Sequence, residues 1–250
     1  GLDALIISGA NVSHPDLQRA PFYEQLKEVV DWSYENVTST LCSCLATHAV
    51  LEFKYGQKRQ PVGAKHWGVF PHKVVNRSHP LIKGVNTRFD IPHSRFNEIS
   101  ELQFAKAEVE VLAKSPIGVH LAVSPDLFRI VFFQGHPEYD AISLLKEYKR
   151  EVALYLENNG TEYPPIPSNY LSLQSQAILN EYRTKLDSKK ASIADFPEAL
   201  IANRLDNTWH DSANAIINNW IGCVYQTTNE DITKPFMDGV DPTNPLKLKK

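Results

Sequence analysis

Apolar residues recur along this chain with two periods. Short β-branched and aromatic runs alternate with longer stretches whose apolar positions lie three and four apart. The first run, Leu5-Ile6-Ile7 before Gly9, predicts a parallel strand buried inside a sheet. After a loop with His14, Pro15 and Pro21, residues 22–34 have helical spacing, with Leu26, Val29, Val30 and Trp32 on the apolar side. Val37 to Leu41 reads as a strand, and Leu45 to Tyr55 as a helix stopped by Gly56. Trp67 to Val75, Val109 to Leu112, Val119 to Val123 and Ile130 to Phe133 predict further strands. Tyr139 to Leu156 reads as a helix, with Leu144, Leu145, Tyr148 and Val152 at helical spacing.

The pattern changes after Asn158. Asn159-Gly160 and the prolines at 164, 165 and 167 mark a linker-like surface segment. Leu173 to Lys190 predicts an amphipathic helix, and Trp209 to Tyr225 another, with Ile216, Ile217, Trp220 and Ile221 apolar. The organisation expected is a catalytic α/β core over 1–158, an insertion or surface subdomain over 159–208, a helix over 209–226 returning to the core, and a tail over 227–250. Strands alternating with helices predict an α/β class, with a mostly parallel sheet flanked by helices. The chain opens without Met and directly on strand pattern, which predicts that the full protein has residues ahead of Gly1.

Composition narrows the function. With 250 residues and 42% hydrophobic content, the chain can build one sizeable core. A net charge of -3, with no long basic run before the terminal Lys-Leu-Lys-Lys, argues against nucleic acid as a partner. No apolar stretch reaches the length of a membrane span, and nothing resembles a signal peptide. Three cysteines do not suggest a disulfide framework and point to a reducing cytoplasm. Cys42 and Cys44 form C-x-C without a second pair, and His48, His66, His72 and His79 have no ligand spacing, so neither a metal nor a bound cofactor is expected.

The chemistry sits at two strand ends. Val37 to Leu41 runs on to Cys44 just before a helix, and Ile130 to Phe133 ends at Gly135-His136-Pro137-Glu138-Tyr139. A thiol, an imidazole and a carboxylate make a cysteine nucleophile system: His136 takes the thiol proton, and Glu138 fixes its tautomer and stabilises its cation. In α/β sheets reactive groups gather at the carboxyl ends of strands. Each residue also has a plainer reading. Cysteine is often a small buried hydrophobe, Glu138 has the option of being a surface carboxylate, and Lys65 and Arg150 of being solvated charges. Cys42 is expected to pack or to line the wall, and Cys223 to lie in the core. His93 is either pocket wall or structural hydrogen-bonder, and Trp209 and Trp220 are packing residues.

With these motifs the chain resembles the homoserine O-acyltransferases of the homoserine O-succinyltransferase family, whose fold is like that of class I glutamine amidotransferases. The resemblance is carried by Ile7-Ser8-Gly9-Ala10, Val37-Thr38-Ser39-Thr40-Leu41, Pro92-His93-Ser94-Arg95-Phe96 and Gly135-His136-Pro137-Glu138-Tyr139-Asp140-Ala141. It implies Cys44 as nucleophile, His136 as base and Glu138 as its orienting carboxylate. It further implies oxyanion donors from the backbone of Leu45 and of the Gly9-Ala10-Asn11 turn, with Ala10 central. Lys65 and Ser94 would contribute to the amino-acid site, and Arg150 would hold the substrate carboxylate in a planar fork. Ser13 would be the position that separates acetyl from succinyl transfer, its small side chain favouring succinyl-CoA. The chain departs from the family pattern at Leu45, where Trp is usual, at Asn11, where Pro is usual, and at Trp209-His210-Asp211-Ser212.

The activity implied is ping-pong acyl transfer from acyl-CoA to the hydroxyl of L-homoserine, in methionine biosynthesis. The family forms homodimers, so a homodimer is implied, for which Trp220 or residues 160–208 would offer apolar surface. Other expectations are transfer to L-serine or another hydroxy amino acid, glutamine amide hydrolysis on the same triad, and a non-catalytic relative that binds an amino acid. The Arg150 helix and the His93-Ser94-Arg95 motif favour the acyltransferase over the glutaminase.

Overall fold

The computed structural model describes residues 1–10, 12–157 and 162–249. Asn11, part of the expected oxyanion turn, and Asn159-Gly160, the expected linker mark, lie outside the described residues. The strands are β1 (Ala4–Ile7), β2 (Ser39–Ser43), β3 (Gln60–Val74), β4 (Arg88–Glu98), β5 (Glu110–Ser115), β6 (Gly118–Val123) and β7 (Ile130–Phe133). The helices are α1 (Tyr23–Asn36), α2 (Leu45–Tyr55), α3 (Glu101–Lys106), α4 (Ser143–Glu157), α5 (Leu173–Asp187), α6 (Glu198–Ala202) and α7 (His210–Thr227).

One sheet runs β1-β2-β7-β6-β5-β3-β4. The α/β class holds, but the sheet is mixed rather than mostly parallel. Among the seven strands described, β1·β2 and β2·β7 are parallel, and the pairs from β7 outward are antiparallel. The connections explain this. The helix α1 carries the chain from β1 back to a parallel start at β2, whereas a tight turn joins β5 to β6 and reverses it. Among the described residues β1 is the first strand of the sheet, paired on one side by β2, and Ile6 is 57% exposed.

Alternation along β2 and β7 feeds two cores. Leu41, Val131 and Phe133 point to the side covered by α4, α5 and α7, where Leu145, Leu179, Ile216 and Trp220 pack. Cys42, Ile130 and Phe132 point to the opposite side, against Val30, Ala46 and Val50 of α1 and α2. Cys42 therefore packs in the core, and burial pushes its thiol up to about 12. Cys223 and both Trp209 and Trp220 are buried, so Trp220 offers no surface to a partner. On α1 the apolar side is narrower than its spacing suggests: Val30 is buried, while Val29 and Trp32 are each 44% exposed.

The segment from Ser168 to Ile201 packs on the sheet and its helices. Ser168 pairs with β3 through Ser168 N–H to Trp67 O (2.9 Å) and Val69 N–H to Ser168 O (2.8 Å). Gly68 permits this with φ +145°, since a Cβ there would stand 2.2 Å from Ser168 O. Tyr170, Leu171, Tyr182, Phe196 and Ile201 join the same core as α4 and α7. No helix among the described residues is long and apolar enough to cross a membrane.

Candidate active site

Cys44 sits where β2 turns sharply into α2, with φ 49° and ψ -108°. That backbone is unusual for a residue with a Cβ and is held by Cys44 N–H to Phe133 O at 2.7 Å. Cys44 caps the N-terminus of α2, where the helix dipole favours negative charge. The Leu45 N–H lies in the first turn and has no intrahelical acceptor. Gly9 closes on this elbow, and a Cβ there would lie 3.1 Å from Cys44 Cβ and 3.3 Å from Leu45 N. The turn after β1 thus comes to the nucleophile because it has no side chain at residue 9.

Next to β2, β7 delivers His136. His136 Nδ1 meets Glu138 Oε1 at 2.8 Å, and Ser43 Oγ donates to the same carboxylate at 3.3 Å. Burial alone would depress His136, but the charge and hydrogen bond of Cys44, followed by those of Glu138, raise it to about 10. The raised value favours an imidazolium beside Cys44, the partner that a cysteine nucleophile needs.

Cys44 and His136 open into a cavity of about 260 Å³. Its wall includes Ala10, Leu45, Glu138, Lys65, Ser94 and Arg150, so eight of the nine residues expected from the sequence converge. The β3–β4 hairpin brings in two of them: Trp67 pairs with Ser94, two residues along from Lys65. Lys65 Nζ lies 4.0 Å from the Trp67 ring centre and 5.2 Å from that of Phe96. Burial lowers its pKa, against the opposing charge of Glu147. Arg150 stands at the mouth, its side chain 52% exposed and 3.4 Å from Glu151.

Ser13 is the exception. Its side chain is exposed and outside the wall, and its carbonyl accepts from Asn97 Nδ2 at 2.8 Å. Val12 faces the cavity in its place. Ungapped counting back from Cys44 lands one residue past the wall, because counting does not register how the loop turns. His93 takes its structural reading. It is fully buried, accepts from Arg95 Nε at 3.2 Å and meets His72 Nε2 at 3.2 Å.

Several site residues were not anticipated. Glu147 of α4 accepts from Trp67 Nε1 (2.9 Å), Ser94 Oγ (2.6 Å) and Tyr139 OH (2.5 Å), with Lys65 Nζ at 4.0 Å. Its signal was its place three residues before Arg150, on the same helical face. Arg59, also on the wall, donates to the carbonyls of Val12 (2.7 Å), His14 and Pro15 (3.2 Å). With Asn97 it ties down four consecutive carbonyls of the loop beside the elbow. Its partners lie more than forty residues away, at separations of 44 to 47, and no local pattern announces it.

The family model for homoserine O-succinyltransferase matches residues 1–230. The homoserine O-succinyltransferase of Nitrosococcus oceani is 60% identical over 254 residues, covering 100% of this chain and 71% of that protein. That of Allochromatium vinosum is 59% identical over 253 residues, covering 99% of this chain and 71% of that one. Among solved structures, SMU.1228c aligns with a TM-score of 0.52 at 12% identity, over 89% of this chain and 80% of its own, which speaks to fold alone. A glutamine amidotransferase from Thermotoga maritima aligns at 0.49 and 11% identity, over 90% and 79%.

Proposed function

The chain belongs to the homoserine O-succinyltransferase family and is an acyltransferase, and from that premise we propose that it carries a succinyl group from succinyl-CoA to the hydroxyl of L-homoserine through a thioester on Cys44. The observation that carries this reading is the single cavity in which the Cys44–His136 pair faces Lys65, Ser94, Glu147 and Arg150.

The order of causes at His136 accounts for its two roles. In the resting protein its raised pKa favours the imidazolium, next to Cys44. The thiolate attacks the thioester carbonyl. The oxyanion is received by the N–H of Leu45 and that of Ala10, and His136 gives its proton to the departing coenzyme A thiolate. The cysteine is then a neutral thioester and no longer supports the imidazolium. Burial, which opposes charge on His136, is then offset by Glu138 alone, so His136 holds a proton less firmly and acts as base toward the acceptor hydroxyl. The alkoxide attacks the acyl carbon, and the ester leaves with Cys44 again a thiolate.

A 2-amino acid presents a carboxylate and an ammonium. Arg150 at the mouth offers a fork to the first, and Glu147 a carboxylate to the second. The choice of succinyl over acetyl rests on the relatives, since Ser13 is not part of the wall. The test is steady-state kinetics with succinyl-CoA and L-homoserine. Parallel double-reciprocal lines and preference over acetyl-CoA and L-serine are expected. Glutamine hydrolysis, or intersecting lines that require both substrates together, would overturn the reading.

A further inference from the structure

We propose that Tyr139 is a positioning residue that joins the two half-reactions, holding the His136 ring with its face and the acceptor-site carboxylate Glu147 with its hydroxyl. The proposal deepens the acyl-transfer reading and rests on it.

The Tyr139 ring lies on the His136 ring, with centres 4.3 Å apart and planes 16° from parallel. Tyr139 OH donates to Glu147 Oε1 at 2.5 Å. The other carboxylate oxygen, Oε2, takes Ser94 Oγ, Trp67 Nε1 and the Lys65 charge. One rigid side chain therefore spans from the base to the group that gathers the amino-acid site.

Tyr139 is itself fixed from behind. Its carbonyl accepts from Nε1 of the buried Trp209 at 2.8 Å, and its N–H donates to His136 O at 3.2 Å. Burial, and then Glu147, hold its hydroxyl protonated far above neutral pH, so it stays a donor. An aromatic face against an imidazolium adds cation–π attraction to the Glu138 contact. The ring thereby favours the charged His136 that acylation needs. The hydroxyl orients Glu147 for the ammonium of the acceptor.

Two variants separate the two ends. Tyr139→Phe keeps the ring and removes the hydroxyl. It should leave acylation by succinyl-CoA within about twofold. It should raise KM for L-homoserine by about tenfold or more, the loss of one charge-assisted hydrogen bond. Tyr139→Leu removes the ring as well. It should also slow acylation and lower the His136 titration midpoint, read by NMR of the imidazole in the resting protein. That titration uses no substrate, so it still judges the stacking role if the protein proves to accept another acyl group. Wild-type protein that forms no acyl-enzyme at all would overturn the functional reading instead. Two results would overturn the proposal. One is a Tyr139→Phe protein with unchanged KM for the acceptor, or with equal damage to both half-reactions. The other is an unmoved His136 midpoint in a folded Tyr139→Leu protein.

Discussion

Acidification should unfold this protein through its core histidines rather than through its triad. His48, His72, His93 and His120 are essentially without solvent contact. Burial, as the leading cause, pushes His48 down to about 3, His72 to about 4, and His93 and His120 well below the ordinary 6.5. The hydrogen bonds explain why His93 and His72 cannot simply accept protons. Arg95 Nε donates to His93 Nδ1, His93 Nε2 meets His72 Nε2, and His72 Nδ1 meets Phe70 O. Only one tautomer order satisfies that line: His93 and His72 neutral, each passing a proton onward.

The sign follows directly. Below 6.5 the unfolded chain binds protons that the folded protein refuses, so stability falls as pH falls. Between about pH 7.5 and 5.5 each such histidine costs about 1.4 kcal/mol. His136 acts in the opposite sense. Its raised value contributes stability that is complete below 6.5 and is lost as pH rises through about 10, so it returns about 1.4 kcal/mol over the same interval. Over these five histidines the loss is about 4 kcal/mol, a large share of the ~5–15 kcal/mol of a typical domain, and burial of His66 and His79 acts in the same direction. Urea unfolding at the two pH values measures it. His120→Gln should recover about one histidine's share, ~1.4 kcal/mol, of the pH difference whatever it does to absolute stability. Equal stability at both pH values, or a His120→Gln protein with the full acid loss, would refute the reasoning.

Other substitutions test the site. Cys42→Ser should keep acylation at Cys44 but lower stability by ~1–3 kcal/mol, read by urea unfolding, because it puts a hydroxyl into an apolar core. Arg150→Lys retains charge but not the fork; KM for L-homoserine should rise by a factor equivalent to ~1.5–3 kcal/mol, with acyl-enzyme formation intact. Arg59→Met frees the carbonyls of Val12, His14 and Pro15. The acylation rate constant should fall about tenfold or more, and amide exchange over residues 12–17 should quicken.

The two halves of the site differ in how far the sequence reveals them. Cys44, His136 and Glu138 stand at the ends of adjacent strands β2 and β7, each visible as an apolar run followed by a turn. Neighbouring strands of one sheet bring such ends together whatever the details. Helix α2 is legible because Gly56 closes it in a left-handed cap. The acceptor side depends on the β3–β4 register, with Trp67 opposite Ser94, and on α4 crossing that hairpin. No local period encodes either relation, so Glu147 and Tyr139 emerge only in three dimensions. The same blindness misplaces Ser13. Val29 and Trp32 on α1 show that apolar spacing marks the residues able to be buried, while the width of the contact decides which are.

The central claim is a covalent acyl group on Cys44, and the mass of the intact protein tests it most directly. Mixed with succinyl-CoA and no acceptor, the protein should gain the mass of one succinyl group, located on Cys44 by peptide mapping. Addition of L-homoserine should remove that mass as O-succinylhomoserine appears. Ester formation at the normal rate with no mass gain on the enzyme, or a succinyl group carried at any other residue, would contradict the account.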